Sequence, residues 1–317
     1  MKVSLVRSNI GIFVLAYSRL LHLKKTINSL DSKLSKSDKI YIFCDNFTNN
    51  QNKKTINDVK KVIIYLESLN TKRFVTIFRK KKFGMTKNWH EALSYMFHKF
   101  DKVICLEDDI IIRKNFLPFM KYYLNYHKNN SKIMNITGFS TKVDLPKNYI
   151  YDCYLTKRSM SWGQGSWRRV WLKFKKLKHN HNNILKIRKN KRKLINDGGQ
   201  DLLRTMSLDY LKIVESIQVW WIWNILKNNG YCINPVGSLM DNIGFDGSGI
   251  HTKKGDYFPK NKIYKKKKRM KKLFFSKEIN QKFLNRFKIR KLVFNLFNLL
   301  PLTIIGILFK IRNFLKS

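Results

Sequence analysis

The sequence predicts an α/β protein with a mainly parallel sheet, and three observations carry that prediction. Short β-branched and aromatic runs alternate with stretches of helical periodicity over the first 140 residues. The segments between successive runs are long enough for crossover helices, which join parallel strands, and too long for hairpin turns. The fourth run, VICLEDDIII at 103–112, gathers Glu107, Asp108 and Asp109 in a chain with only 20 acidic residues against 65 basic ones.

IGIFVLA (10–16) reads as the first strand, after which Ser18 is placed to cap a helix with Leu20, Leu23, Ile27 and Leu30 on one face. KIYIFC (39–44) is a second strand, stopped by Asp45 and Asn46. Ile56, Val59, Ile63 and Leu66 mark the next helix, and RFVTIF (73–78) a third strand. A basic loop, RKKKFG (79–84), leads into a helix burying Trp89, Leu93, Met96 and Phe97. The strand at 103–112 follows. Beyond residue 140 the pattern changes to SMSWGQGSWRRVW (159–171), a basic helical stretch to about 196, a helix over 208–229, and an irregular Gly-rich stretch over 231–252.

Substrates of open α/β sheets bind beyond the carboxyl ends of the strands. Tyr17-Ser18-Arg19, Asp45-Asn46 and the three carboxylates should all fall on that rim. Clustered carboxylate oxygens suit Mg²⁺ or Mn²⁺, especially when substrate phosphates complete the coordination. The competing reading is an acidic turn that keeps a strand end soluble. No GxGxxG follows the first strand and no GxxxxGK[ST] appears, which disfavours a dinucleotide fold or a P-loop.

A formal charge of +45 predicts attraction to polyanions: nucleic acid, anionic lipid or phosphorylated substrates. Residues 260–317 carry 18 Lys or Arg against one Glu, a local net of +17. Cys44, Cys105, Cys153 and Cys232 form no CxxC pair, so buried free thiols in a reducing compartment are expected, and not a zinc site. The short apolar run Ile10–Ala16 leads into a helix and not a cleavage site, so the expected location of the catalytic part is the cytoplasm.

The order of five blocks sharpens the reading. FVLAYSR (13–19), VICLEDDIII (103–112), SWGQGSW (161–167), GGQDLLR (198–204) and NIGFDGSGIHT (242–252) together resemble bacterial glycosyltransferases of the GT-A fold, in the sugar transferase group related to N-acetylglucosaminyltransferase I. The resemblance covers roughly residues 10–252. It implies a Rossmann-like, mostly parallel sheet flanked by helices and transfer of a sugar from a nucleotide diphosphate donor. The implied acceptor is a glycan or lipid-linked oligosaccharide in bacterial surface polysaccharide synthesis, and the implied cofactor is Mn²⁺ or Mg²⁺. Carried over, Asp109 is the metal ligand, while Glu107 and Asp108 contact the donor.

Relatives place a DSWxxRW segment before a KNN turn; here the equivalent is ESIQVWW (215–221) before KNNG (227–230). Glu215 therefore stands where an inverting enzyme needs its base, with Asp201 of the GGQDLLR block as the alternative. Ala16, Tyr17, Arg19, Asp45, Trp162 and Gly163 complete the expected nucleotide-sugar contacts, and His251 joins Asp109 as a candidate metal or diphosphate contact. The tryptophans of SWGQGSW suit either a core or a sugar face.

The expected organisation is a glycosyltransferase domain over 1–255, with a nucleotide-sugar half (1–140) and an acceptor half (141–255), then a basic, hydrophobic helical tail over 256–317. In that tail Leu292–Phe309 contains 18 uncharged residues, about 27 Å as a helix, short of a hydrocarbon core of about 30 Å. Asn295, Asn298, Pro301 and Gly306 also weaken a span, so the tail is expected to lie on the anionic inner-membrane surface. Two other functions compete: a catalytically degenerate membrane-associated relative, suggested by the altered ESIQVWW segment, and a basic nucleic-acid-binding protein. No nucleic-acid motif accompanies the charge, so no nucleic-acid partner is expected.

Overall fold

The computed structural model describes residues 10–35, 37–69, 73–177, 181–248, 269–270 and 274–314. The chain is mixed α/β with a mostly parallel central sheet flanked by helices, the class the sequence predicts. Its first half runs β1 (Ile10–Ala16), α1 (Leu20–Asp31), β2 (Ile40–Cys44), α2 (Lys53–Ser68), β3 (Phe74–Phe78), α3 (Met85–Lys99) and β4 (Lys102–Glu107). These strands lie in the order β3-β2-β1-β4, all parallel, with Val14 paired to Ile42 on one side and Leu106 on the other. Parallel strands are covered on both faces, which is why β1 and β4 read as unbroken apolar runs.

The expected strand over 103–112 is in fact two. β4 ends at Glu107, the chain turns through Asp108 and Asp109, and β5 (Ile110–Ile112) leaves the main sheet. Two contacts hold the turn: Thr26 donates its hydroxyl to the Asp108 carbonyl at 2.8 Å, and the Ile243 amide donates to the Asp109 carbonyl at 2.9 Å. The helix start also differs from expectation. Arg19, not Ser18, occupies the N-cap position of α1, and no side chain caps it.

After α4 (Phe116–Tyr126) come β6 (Ile133–Thr137), β7 (Cys153–Thr156) and β8 (Gln164–Trp167). Then follow α5 (Arg168–Lys175), α6 (His181–Asn190), α7 (Arg192–Asn196), α8 (Leu202–Tyr210), α9 (Ile217–Lys227), β9 (Tyr231–Pro235) and β10 (Met240–Asn242). β8 inserts antiparallel between β4 and β6, so one eight-stranded sheet, β3-β2-β1-β4-β8-β6-β9-β7, runs across the expected boundary at residue 140. β10 pairs antiparallel with β5 in a separate two-stranded ribbon. Two strands thus lie in the stretch expected to be irregular.

The expected helix over 208–229 breaks between α8 and α9. Lys212 adopts a positive φ of 57°, and Asp209 accepts from the Ser216 amide at 2.7 Å and from the Trp220 indole at 2.6 Å. A short acid that satisfies a neighbouring backbone N–H competes with helix continuation. Trp221 packs with Trp89, Trp171 and Phe174 in an aromatic core beneath α3, α5 and α9.

The chain closes with α10 (Lys277–Leu284), α11 (Lys291–Leu299) and α12 (Leu302–Phe314). These are no free tail: Ile279, Phe283, Leu284, Phe297, Leu302 and Ile305 join the same core as the sheet. Pro301 separates the last two helices, and among the described residues no helix is long and apolar enough to cross a membrane. All four cysteines are free and buried.

Candidate active site

A cavity of about 410 Å³ opens at the carboxyl ends of β1, β2 and β4. It gathers Ala16, Tyr17, Ser18 and Arg19 from the end of β1, Asp45 from β2, and Glu107, Asp108 and Asp109 from β4. Trp162, Glu215 and Asn242 close the other side. The beginnings of three helices line it as well: Arg19 before α1, Gly84 and Met85 at α3, and Ser216 to Gln218 at α9. Amides at the starts of α3 and α9 are already taken by carboxylates, Gly84 by Asp45, Thr86 by Glu215 and Ser216 by Asp209, whereas no side chain caps α1, whose start favours an anion.

The carboxylates are tightly organised. Asp108 and Asp109 are both buried, and the Arg19 guanidinium bridges them, bonded to Asp108 Oδ1 and 2.9 Å from Asp109 Oδ2. Asp109 Oδ1 is buried without a hydrogen-bond partner. Burial pushes the Glu107 carboxyl up to about 8, with the charges of Asp109 and Asp108 adding to the effect and Arg19 opposing it. Burial also raises Asp108, to about 6, against the pull of Arg19. Burial disfavours the Arg19 charge too, but the two aspartates outweigh it and hold the guanidinium protonated.

The NIGF segment explains its glycine here. β10 runs beside β5, which lays Gly244 directly on the carboxylates: a Cβ at Gly244 would sit 2.2 Å from Asp109 Oδ2 and 2.9 Å from Arg19 Nη1. Beyond it, Asp246 reaches back to His22 on α1 at 3.0 Å and accepts from the Ser248 hydroxyl at 2.6 Å, tying the loop down beside the cavity. Sequence reasoning passed over His22. Its spacing of three residues from Arg19, one helical turn, was the available signal.

Other expected residues divide. Asp45 lines the cavity, but its oxygens accept from the amides of Asn46, Phe83 and Gly84 at 2.9, 2.7 and 2.8 Å, so it shapes the basic loop before α3. That loop delivers Lys82 to the cavity, where its ammonium lies 5.5 Å from the centre of the Tyr17 ring. The Tyr17 hydroxyl accepts from Gln51 at 2.6 Å. Glu215 is exposed on the cavity wall just before α9, and one of its oxygens accepts from the Thr86 amide in the first turn of α3 at 2.9 Å.

Trp162 presents part of its ring to the cavity, packed edge-on against Phe139 and Phe245. Ser161 lines the cavity beside it, whereas the residues from Gly163 to Trp167 do not. Gly163 makes the turn, at φ 58°, and is not among the cavity-lining residues; Trp167 is buried and donates to the Leu124 carbonyl at 2.9 Å. Asp201, the alternative base, is not among the cavity-lining residues and forms a bidentate pair with Arg158 at 2.7 and 2.9 Å. His251 lies outside the described residues.

The cavity can be tested for a divalent ion. Five carboxylates line it (Asp45, Glu107, Asp108, Asp109 and Glu215) against two cations, Arg19 and Lys82. Fully ionised, that is a formal −3 inside a chain of +45. Among the described residues no group of three or more His, Cys, Asp or Glu side chains is arranged as a metal cage. A hard ion that takes most of its ligands from phosphates and water needs no cage, and the orphaned Asp109 Oδ1 is a suitable single anchor. The residues fit such an ion.

No protein-family model matches the chain, and no curated protein matches it. Solved structures are similar to parts of it. S. aureus TarS in complex with UDP-GlcNAc aligns at 13% identity and a TM-score of 0.35, over 51% of this chain and 46% of that one. A second structure of S. aureus TarS, residues 1–349, aligns at 11% identity and a TM-score of 0.38, over 69% of this chain and 70% of that one. The mannosyltransferase PcManGT from Pyrobaculum calidifontis, in complex with GDP-Man and Mn²⁺, aligns at 9% and 0.33, over 52% and 46%. The chain thus spans about half the length of two of these three structures.

Proposed function

We propose that this chain is a divalent-metal-dependent glycosyltransferase that takes a sugar from a nucleoside diphosphate donor bound in the 410 Å³ cavity. One observation carries the proposal: a net-acidic cavity, in a strongly basic protein, that is also lined by two cations, Arg19 and Lys82. The ionised carboxylates draw in a divalent ion and oppose a bare diphosphate, whereas the bound ion together with Arg19 and Lys82 suits a diphosphate. The two together satisfy both sets of charges.

In this reading Asp109 holds the ion, Mn²⁺ or Mg²⁺, and Glu107 and Asp108 face the donor. The ion, when bound, supplies positive charge that offsets what develops on the departing diphosphate. Lys82 and the uncapped start of α1 contribute to the same end with donors fixed before the reaction begins. Trp162 offers a flat apolar surface to a sugar ring. An acceptor hydroxyl attacks the anomeric carbon as the bond to the diphosphate oxygen breaks, and Glu215 takes the hydroxyl proton. The Thr86 amide holds one Glu215 oxygen in place, and the other receives the proton. Attack opposite the leaving group inverts the anomeric centre. The acceptor class suggested by the sequence is a glycan or lipid-linked oligosaccharide of bacterial surface polysaccharide synthesis, and the kinship with the N-acetylglucosaminyltransferase I group belongs to the same proposal.

Thermal-shift measurements with UDP, GDP, CDP and TDP, each with and without Mn²⁺, test this reading. Stabilisation by one nucleotide only when metal is present is expected; saturation at a hundred times Kd is worth about 2.7 kcal/mol. Equal stabilisation with chelator present, or none with any nucleotide, would count against it.

A further inference from the structure

The last two helices are apolar on their outer side as well as their inner one. A surface helix normally turns its apolar side inward and its polar side to water. In α12 the inward positions, Leu302 and Ile305, are buried, yet Ile304, Ile307, Leu308 and Ile311 are 41–56% exposed. Those four positions follow helical spacing and form one outward stripe. In α11, Phe297 and Asn298 face in, while Leu292 and Leu299, two turns apart, are 79% and 71% exposed.

This orientation is fixed from beneath. Arg188 donates to the Phe297 carbonyl at 2.8 Å, to the Ser207 hydroxyl at 2.9 Å and to the Leu300 carbonyl. The Phe297 and Phe309 rings meet at 6.2 Å, and Gly306 lies against Leu211. The two helices cannot roll to hide their outer leucines and isoleucines without breaking that clamp. Lys288, Arg290 and Lys291, all exposed, stand at and just before the start of α11, next to the exposed Leu292.

We propose that the outer faces of α11 and α12 dock on an anionic lipid surface, lying in the headgroup and upper acyl region without crossing. Apolar side chains flanked by lysine and arginine match such a surface in both polarity and charge. A second copy of the chain would bring the same positive charge against itself and is disfavoured. The inference stands apart from the glycosyltransferase reading, because none of these residues lines the cavity.

Full-length protein should co-sediment with phosphatidylcholine vesicles containing about one-third phosphatidylglycerol, and not with phosphatidylcholine alone. Replacing Lys288, Arg290 and Lys291 together by alanine should weaken that binding on the order of a hundredfold, at about fivefold per charge. The triple variant Ile304→Asp, Ile307→Asp, Ile311→Asp should abolish binding while the melting temperature holds, since the replaced side chains are exposed. Leu292→Asp with Leu299→Asp repeats the test on α11, should the first variant fold poorly. Binding of either aspartate variant at wild-type strength, or no wild-type binding to anionic vesicles, overturns the proposal. So does a wild-type dimer that these variants convert to monomer, which would assign the face to self-association.

Discussion

Gly244→Ala is the sharpest perturbation of the site, because one methyl group meets the carboxylates head-on. The added Cβ would lie 2.2 Å from Asp109 Oδ2 and 3.0 Å from Asp109 Cγ. Restoring an ordinary contact of 3.4 Å requires Asp109 Oδ2 to retreat by 1.2 Å, the difference between those two separations. Arg19 cannot follow freely, since its own Nη1 would be 2.9 Å from the same methyl. Overpacking of this kind costs about 2 kcal/mol, which is about 4 °C in melting temperature for a chain of this size. The catalytic effect should be larger: displacing a reacting group by about 1 Å costs on the order of a hundredfold in rate. Donor hydrolysis or transfer in Mn²⁺, with Mn²⁺ affinity measured by titration calorimetry, separates the two effects. Gly306→Ala is the control, because its Cβ would meet only Leu211, at 3.7 Å. Wild-type turnover and Mn²⁺ affinity in Gly244→Ala would refute the assignment of Asp109 as the metal anchor.

Three further outcomes are expected. Glu107 titrates near 8 in the folded chain against about 4.3 unfolded, so the folded state holds an extra proton between those values. Stability from this group is therefore greatest below pH 4 and is lost as pH rises to about 8; with chelator present, Glu107→Gln should melt higher than wild type at pH 8.5 and alike at pH 4, and parallel pH curves would contradict this. Glu215→Gln keeps an acceptor for the Thr86 amide but loses the base, so turnover should fall by about 10² to 10⁴ with melting temperature and donor affinity held; unchanged turnover would remove the residue from the mechanism. Asp201→Ala should destabilise by about 3 kcal/mol by stranding the buried Arg158, while the folded fraction keeps its specific activity; loss of turnover at full folding would make Asp201 a catalytic candidate.

The first half of the fold was readable because its signals are local. β1 to β3 and the helices between them follow from periodicity, and the rim carrying Arg19, Asp45 and the three carboxylates follows from where the strands end. What could not be read depends on distant partners. β8 occupies a sheet centre with the sequence QGSW, which has almost no strand signature; β4 and β6 on either side impose its conformation. The split of α8 from α9 depends on one side chain, Asp209, turning back onto the Ser216 amide. Asp201 is the alternative base through its place in the GGQDLLR block, and nothing in the linear sequence announces that Arg158, 43 residues earlier, claims its carboxylate. The Arg19 bridge between Asp108 and Asp109 spans 89 residues and is equally silent in the sequence.

The position of β8 has a consequence for how the chain is made. β4 emerges from the ribosome with β1 already available on one side, but its other edge is matched only when residues 164–167 arrive, about sixty positions later. Until then a nascent four-stranded half carries an open row of backbone donors and acceptors, the kind of edge that invites pairing with a neighbouring chain. Lys102 opens that strand, and its paired edge is sealed by Trp167. Cellular yield should accordingly depend on how quickly translation runs from 107 to 167, a property no equilibrium measurement on the finished protein would reveal.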